Sequence, residues 1–453
     1  MKDLDISKVY IVLIILAFLS LFPNINFYEF RVEESLRTIV AFEMAHNGNI
    51  FQPTFLGELY FKKPPLFNWF IIFSSKIIPW SELTARIVSI FFLFLTVLLL
   101  YRFSFKLTQS REISIFSSLI YITFIDILFW YGYLAEIDVT LTFFVFLTFY
   151  FLIFGFKEKK DYYFLLAGIT TGFAFLLKGF PAYVFFVLTY LGLVFYYKDF
   201  KKLLNLYVWI GGFFSLLIPA VWIINTVYPD KYVQILFFES IVRTEGSKNF
   251  LKFIEHIISY PVLNFKQLLP ASAFVVFGLF FFKKKINIPS DVKLLVFIAI
   301  INYLPYLISV GSRGRYVLPL FPILATVFSI LIYSFGSKKI LRIFVYISVV
   351  LITVRFLFGF VGFPILMEKK ASRKKVAYDI AKTLNIKEKK IAFDCSPEKS
   401  VCLYLDFIKG VPIKKSKFTN NWDYLLTCKE KKDFKLIKMY DLHGNILRVY
   451  SRD

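Results

Sequence analysis

Long apolar runs separated by short polar connections recur along almost the whole chain, and no other feature restricts its fold as severely. A helix that crosses a bilayer needs roughly 20 largely apolar residues, and by that measure about eleven candidate spans follow one another. They cover approximately 9–22, 87–101, 113–131, 139–156, 162–177, 182–197, 204–224, 268–282, 292–310, 316–335 and 340–363. Composition agrees, with 58% hydrophobic and only 19% charged residues. Ordinary soluble chains are about 45–50% apolar and about a quarter charged. Too little polar surface remains to cover this chain in water, which excludes a soluble enzyme and a disordered polymer. The expected class is an all-α polytopic membrane protein.

The cations orient the spans. Lys and Arg total 54 against 31 Asp and Glu, a net charge of +23. In a soluble chain that excess would raise nucleic acid as a partner. Here the basic residues gather between apolar runs, so the partner is the lipid bilayer and no nucleic acid is expected. Arg102/Lys106/Arg111, Lys157/Lys159/Lys160, Lys198/Lys201/Lys202, Lys283/Lys284/Lys285 and Lys338/Lys339/Arg342 occupy every second connection. The positive-inside rule then places the N-terminus in the cytoplasm and segments 23–86, 225–267 and everything after Gly362 outside. Lys2 and Lys8 precede the run 9–22, and no small-residue cleavage site follows it. It reads as a retained first span of a plasma (inner) membrane protein rather than as a leader.

The outside segments have room for a site; the cytoplasmic connections are too short. In 23–86, residues 33–46 read as a helix stopped by Asn47-Gly48. Leu36, Val40 and Met44 repeat at helical spacing and are expected against the bilayer, with Glu33 and Arg37 one turn apart on another face. Lys62-Lys63-Pro64-Pro65 interrupts the chain, and the short apolar 66–78 reads as an interfacial helix. After Glu368 the chain becomes Lys-rich, with a helical pattern at 372–384 and strand-like runs at 390–393 and 446–450. The expected division is a membrane domain, 1–363, and a small external α/β domain, 364–453. Cys395, Cys402 and Cys428 are too few for a disulfide framework and are not spaced for zinc. Gly168 and Gly172, inside a span, are expected to serve helix packing.

A few charged residues stand where structure alone does not require them. Glu33 and Glu34 open the external helix, where the macrodipole favours carboxylates in any case. Asp138 lies at the outer edge where two long spans meet. An acid this close to lipid is costly and usually faces a protein interior or a cavity, although it can also cap the next helix through the Val139 and Thr140 amides. Lys63, Lys178, Arg243, Arg313 and Arg315 are external cations. Any one of them reads as a headgroup anchor. Together with three carboxylates they suit phosphate binding, stabilisation of a phosphate leaving group, and removal of a proton from an incoming hydroxyl.

The motifs, taken in order, resemble a known family. Glu33-Glu34-Ser-Leu-Arg37 through His46-Asn-Gly48, then Gly57-Glu-Leu-Tyr-Phe61-Lys-Lys63-Pro64-Pro65, is similar to the first external loop of the aminoarabinose-transferase and protein O-mannosyltransferase group. These are GT-C-type membrane glycosyltransferases. Glu136-Ile-Asp138 with Leu141-Thr-Phe-Phe144 resembles the second acidic site, and Gly172-Phe-Ala-Phe-Leu-Leu-Lys178-Gly179 the apolar Lys-Gly segment. Arg315-Tyr316-Val-Leu-Pro319-Leu-Phe-Pro322 resembles the late Arg-Tyr-x-x-Pro motif. The similarity runs from about Val9 to Ala325 and is specific as an ordered set rather than motif by motif.

The resemblance implies a GT-C-like fold and a donor sugar carried on a polyprenyl phosphate such as undecaprenyl phosphate. The sugar would pass, with inversion, to a lipid, glycan or protein hydroxyl at the outer membrane face; lipid A aminoarabinose transfer is the nearest analogy. Glu33 or Glu34, with Asp138, would be the catalytic carboxylates. Lys63, Arg37, Lys178, Arg243, Arg313, Arg315 and Tyr316 are the candidates for the donor phosphate. The cofactor is open, a divalent metal ion included. Three departures bear on the sugar and the acid: Glu33 stands where many relatives carry Asp, Lys62 where the aminoarabinose transferases carry Glu, and Leu36 where they carry Arg. The rival reading is a polytopic transporter or flippase, which would place its ionisable groups near the midplane on broken helices.

Overall fold

The computed structural model describes residues 6–241, 250–281, 288–369 and 372–452. Arg243 and the Lys283/Lys284/Lys285 cluster lie outside the described residues. Within them the chain forms α1 (Ile6–Leu19), α2 (Val32–Asn47), α3 (Leu66–Ser75), α4 (Glu82–Thr108), α5 (Arg111–Thr123), α6 (Ile137–Lys157), α7 (Tyr162–Lys178), α8 (Pro181–Tyr197) and α9 (Leu206–Ile224). There follow α10 (Pro229–Ile241), α11 (Phe250–Gln267), α12 (Ala271–Phe281), α13 (Ser290–Ile308), α14 (Phe321–Ser334), α15 (Lys338–Leu357), α16 (Phe363–Lys369), α17 (Arg373–Leu384) and α18 (Lys399–Lys409). Six strands complete it: β1 (Thr54–Phe55), β2 (Glu58–Leu59), β3 (Ile391–Asp394), β4 (Tyr424–Thr427), β5 (Lys435–Asp441) and β6 (Ile446–Ser451). Two compact units result. One takes Met1–Leu21, Lys62–Pro64 and Ser89–Phe356, the other Phe22–Phe61, Pro65–Val88 and Leu357–Asp453. The 364–453 segment, expected as a domain of its own, thus shares a unit with most of the first loop.

The first unit is helical and apolar. Among the described residues of the whole chain, six helical stretches are long and apolar enough to cross a membrane, and α11 with α12 would make a seventh if that bent pair is one span. The protein is a multi-pass membrane protein. Four shorter apolar helices, α1, α3, α7 and α8, accompany these. The run expected as one span over 113–131 is interrupted. Helix α5 ends at Thr123, Phe124 turns extended with ψ 131°, and a π-helical turn occupies Ile127–Tyr131. The run 268–282 likewise belongs to a bent pair, α11 and α12, which meet at 103°. Pro270, which has no N–H to donate, stands in that break. Small residues serve the packing as their sequence context suggests. A Cβ on Gly168 would lie 2.1 Å from the Gly211 carbonyl oxygen, so α7 and α9 touch backbone to backbone.

In the second unit, α2 runs to Asn47 and stops at Gly48, whose φ of 68° a glycine adopts without strain. Its apolar stripe does not face lipid. Val40 and Met44 are buried with Tyr60, and Leu36, Phe55, Trp69 and Ile72 pack on them, so this face is core. The expectation of a bilayer contact is corrected because the β1–β2 hairpin and α3 supply the apolar partners. The tail forms a four-stranded sheet in the order β3-β4-β6-β5, with β3 and β4 parallel and the other pairs antiparallel. Ser372 caps α17 through its Oγ, which accepts from the Lys375 N–H. Cys395 and Cys428 follow the parallel strands β3 and β4 and are joined by a disulfide, leaving Cys402 buried and free. Three cysteines make no framework, but two of them make one staple, since parallel neighbours bring their C-terminal ends side by side. Helix α18 packs on α2, with Ser400 Oγ 3.0 Å from Ser35 Oγ.

Candidate active site

Three pieces of the first unit bring charge together. Glu136 precedes α6 in an extended conformation, and Asp138 stands in the helix's first turn. Lys178 is the last residue of α7, followed by Gly179 at φ 80°, which lets the chain leave sharply. Arg315 and Tyr316 lie in a 3-10 stretch, Gly314–Leu320. The Asp138 Oδ1 is 2.5 Å from Lys178 Nζ, and its Oδ2 is 3.7 Å from Arg315 Nε. Arg315 Nη1 donates to Glu136 Oε2 at 2.7 Å. Asp138 is therefore an ion-paired residue, as its position beside lipid requires. The four side chains are at most 17% exposed, and the two acids balance the two bases.

Beside this quartet is a cavity of about 170 Å³. Its lining includes the polar and cationic Lys62, Lys63, Lys178, Ser309, Ser312 and Tyr316 and the apolar Phe180, Pro181, Val184, Leu236 and Pro305. Glu239, Ser240 and Tyr306 complete the lining. The Lys178 ammonium sits 4.5 Å from the Tyr316 ring centroid, a cation–π contact. The charge of Lys63 also acts on Asp138. The lining thus offers both cations and hydrocarbon, the two features an anion with an apolar tail requires.

Of the expected residues, Lys63, Lys178 and Tyr316 line this cavity, and Asp138 and Arg315 belong to the quartet joined to it. Arg313 is exposed, and its carbonyl accepts from Tyr260 Oη at 3.2 Å. Glu33, Glu34 and Arg37 lie in the second unit. There the two adjacent acids part ways. Glu34 is fully buried; its carboxylate receives Arg86 Nε at 2.8 Å and Nη2 at 2.9 Å, and the Arg31 N–H at 2.9 Å. Arg86 Nη1 meanwhile ties down the Ile25 and Tyr28 carbonyls. Glu33 keeps a side chain 36% exposed and pairs with Arg37 at 3.5 Å, while Arg37 Nη1 donates to Tyr60 Oη.

Arg86 and Lys399 escaped the sequence reading as site or support, while Glu136 and Lys62 were read there only as parts of motifs, without a role of their own. Glu136 was legible, since it sits two residues before Asp138 on an extended approach to the helix. Arg86 and Lys399 were not, because their partners are remote in the chain. Lys399 opens α18 beside Glu33, Glu398 and Arg37, and burial pushes its amine pKa down. Among the described residues no group of three or more His, Cys, Asp or Glu side chains is placed to hold a metal ion.

Known proteins share this architecture. Over 99% of its length the chain superposes on 98% of ArnT from Cupriavidus metallidurans bound to undecaprenyl phosphate, with a TM-score of 0.68 and 14% identity. The apo structure of that protein gives 0.70 at 15% identity. At such identity the likeness is one of fold. Residues 62–224, which hold Lys63, Asp138 and Lys178, match the dolichyl-phosphate-mannose-protein mannosyltransferase family model. The chain thus has the fold of ArnT and, over residues 62–224, is similar to the protein-mannosyltransferase family. A Proteus mirabilis relative named undecaprenyl phosphate-alpha-4-amino-4-deoxy-L-arabinose arabinosyl transferase 2 is 26% identical over 69% of this chain and 57% of its own. An uncharacterised Aquifex aeolicus protein is 26% identical over 70% of this chain and 60% of its own. The chain thus matches about three-fifths of these two relatives' length.

Proposed function

We propose that the protein is a glycosyltransferase that moves a sugar from a polyprenyl-phosphate donor to a hydroxyl acceptor at the outer membrane face, with inversion. The observation that carries this is the cavity lined by both apolar residues and the cations Lys62, Lys63 and Lys178, the last of them ion-paired with Asp138. In this reading the prenyl chain lies along Phe180, Val184 and Leu236, and the phosphate meets Lys63, Lys178 and Tyr316. The relatives' names and the undecaprenyl phosphate bound to a protein of the same fold support that donor class.

The acceptor hydroxyl attacks the anomeric carbon opposite the phosphate. The C–O bond to the phosphate breaks, and the departing phosphate carries away the bonding pair. Its growing charge is met by the cations, so no general acid is needed. A carboxylate takes the hydroxyl proton. Asp138 holds Lys178 and Arg315 in place, and the proposed proton acceptor is Glu33, on the strength of the motif resemblance alone. A divalent ion stays open as an additional phosphate partner.

The proposed topology has a cytoplasmic N-terminus, about eleven spans and an external tail, following the alternating cation clusters. The deciding experiment incubates purified protein with labelled polyprenyl-phosphate sugars and acceptor. Loss of sugar from the lipid supports the transferase. Intact donor that changes leaflet in vesicles instead would favour a flippase.

A further inference from the structure

We infer that Asp126 and Gln267 form a positioning strut that holds both halves of the charge quartet in register. Both residues stand at helix breaks. Asp126 lies between α5 and the π turn Ile127–Tyr131, and Gln267 is the last residue of α11. Gln267 Nε2 donates to Asp126 Oδ2 at 2.5 Å, and the two breaks are also joined through backbone, Ile125 N–H to the Leu269 carbonyl at 3.0 Å.

The Gln267 amide is fixed from its other side as well. Its Oε1 accepts from Asn264 Nδ2 at 2.7 Å, and Asn264 Oδ1 accepts from Tyr303 Oη at 2.8 Å. Gln267 and Asn264 are nearly fully buried. The held amide lies flat against Gly314, where an added Cβ would come within 2.7 Å of Nε2 and 2.9 Å of Oε1. Gly314 opens the 3-10 stretch that carries Arg315 and Tyr316. About two helical turns back along α11 from Gln267, Tyr260 Oη holds the Arg313 carbonyl, which also accepts the Tyr316 N–H at 2.9 Å.

Asp126 fixes the opposite half. The π turn it begins leads through Gly132 to Glu136 and Asp138. Arg355, fully buried, donates Nε to the Leu128 carbonyl at 3.0 Å and stacks over Tyr133. The Asp126–Gln267 bond therefore ties the π turn that leads to the acids to the end of α11, on which Gly314 packs, and supports the direct Arg315–Glu136 bond from behind. Buried side-chain hydrogen bonds of this kind rigidify the segments they connect. Asp126 and Gln267 act through Arg315 and Asp138, and their effect on transfer rests on the function proposed above.

The test reverses the bond. Gln267→Glu sets two carboxylates against each other, and Gln267→Met keeps the volume without the hydrogen bonds. Each is expected to speed hydrogen exchange at the amides of residues 314–317, read by mass spectrometry, and to cut transfer roughly 10- to 100-fold. Asp126→Asn alone keeps an acceptor oxygen for Gln267 and is expected to stay near wild type. The double variant Asp126→Asn/Gln267→Glu restores the bond with its direction reversed and should return to within about threefold of wild type. Wild-type exchange and transfer in Gln267→Glu or Gln267→Met, or a double variant no better than Gln267→Glu, would overturn the strut. Wild-type protein that transfers no sugar would instead remove the proposed function, while the exchange measurement would still decide the strut.

Discussion

Lys178 Nζ lies 2.5 Å from Asp138 Oδ1 and 4.5 Å from the Tyr316 ring centroid, so one ammonium group joins the first turn of α6 to the turn that carries Arg315. The sequence treated Asp138 and Lys178 as separate candidates, an acid and a phosphate ligand. Their contact makes them one device, in which the acid holds the cation that faces the cavity.

Breaking that device from one side is expected to cost more than removing it. Lys178→Met leaves the Asp138 charge buried with Arg315 as its remaining close cation, and loss of one buried partner typically costs about 3–5 kcal/mol. Lys178→Met/Asp138→Asn should recover much of that loss. Thermal unfolding in detergent decides; equal midpoints for the single and the double variant would show the pair to be energetically idle.

Lys63 lines the cavity and acts on Asp138 without being one of the four paired charges. Charge-assisted hydrogen bonds contribute about 1.5–3 kcal/mol. Lys63→Ala should therefore weaken undecaprenyl phosphate binding tenfold or more, about 1.4 kcal/mol per decade. An unchanged dissociation constant would remove Lys63 from the phosphate site.

The adjacent acids Glu33 and Glu34 should separate cleanly. Glu34→Gln leaves Arg86 without its carboxylate in a fully buried site, and should destabilise the second unit by about 3–5 kcal/mol. Glu33→Gln should fold and insert normally yet lose at least about a hundredfold in transfer, within the range a placed general base contributes. A stable Glu34→Gln together with a fully active Glu33→Gln would exchange the two roles.

Asp406 gives the second unit a pH dependence of definite sign. It is fully buried, accepts the Ile413 N–H through Oδ1, and its Oδ2 has no hydrogen-bond partner among the described residues. Burial first, and then the Glu43 charge, raise its pKa well above 3.8, against the Ile413 bond that lowers it. Glu43 is itself raised by burial. A raised folded-state pKa means stability that is complete below the unfolded value and lost as pH rises through the folded value. Asp406→Asn should accordingly match the wild-type melting temperature near about pH 4 and exceed it increasingly toward about pH 8. A constant difference across that range would rule out titration of Asp406 as its source.

What the sequence determined by itself is what depends on neighbours along the chain. Apolar length announced a membrane protein, Asn47-Gly48 ended α2, Ser372 began α17, and the ordered motifs carried a family resemblance, because helix stops, caps, spans and short motifs are local properties. The tertiary structure decided everything that depends on partners far away. Whether Leu36, Val40 and Met44 meet lipid or protein is invisible in their spacing, since an apolar stripe fits either medium; Tyr60 and Trp69 settle it. Glu33 and Glu34 are chemically alike in sequence. Only the arrival of Arg86, 52 residues on, makes Glu34 a buried anchor and leaves Glu33 open. The same holds for Asp138, whose partners are 40 and 177 residues away. A buried charge needs a counter-charge at a few ångströms, and the fold alone chooses which one arrives.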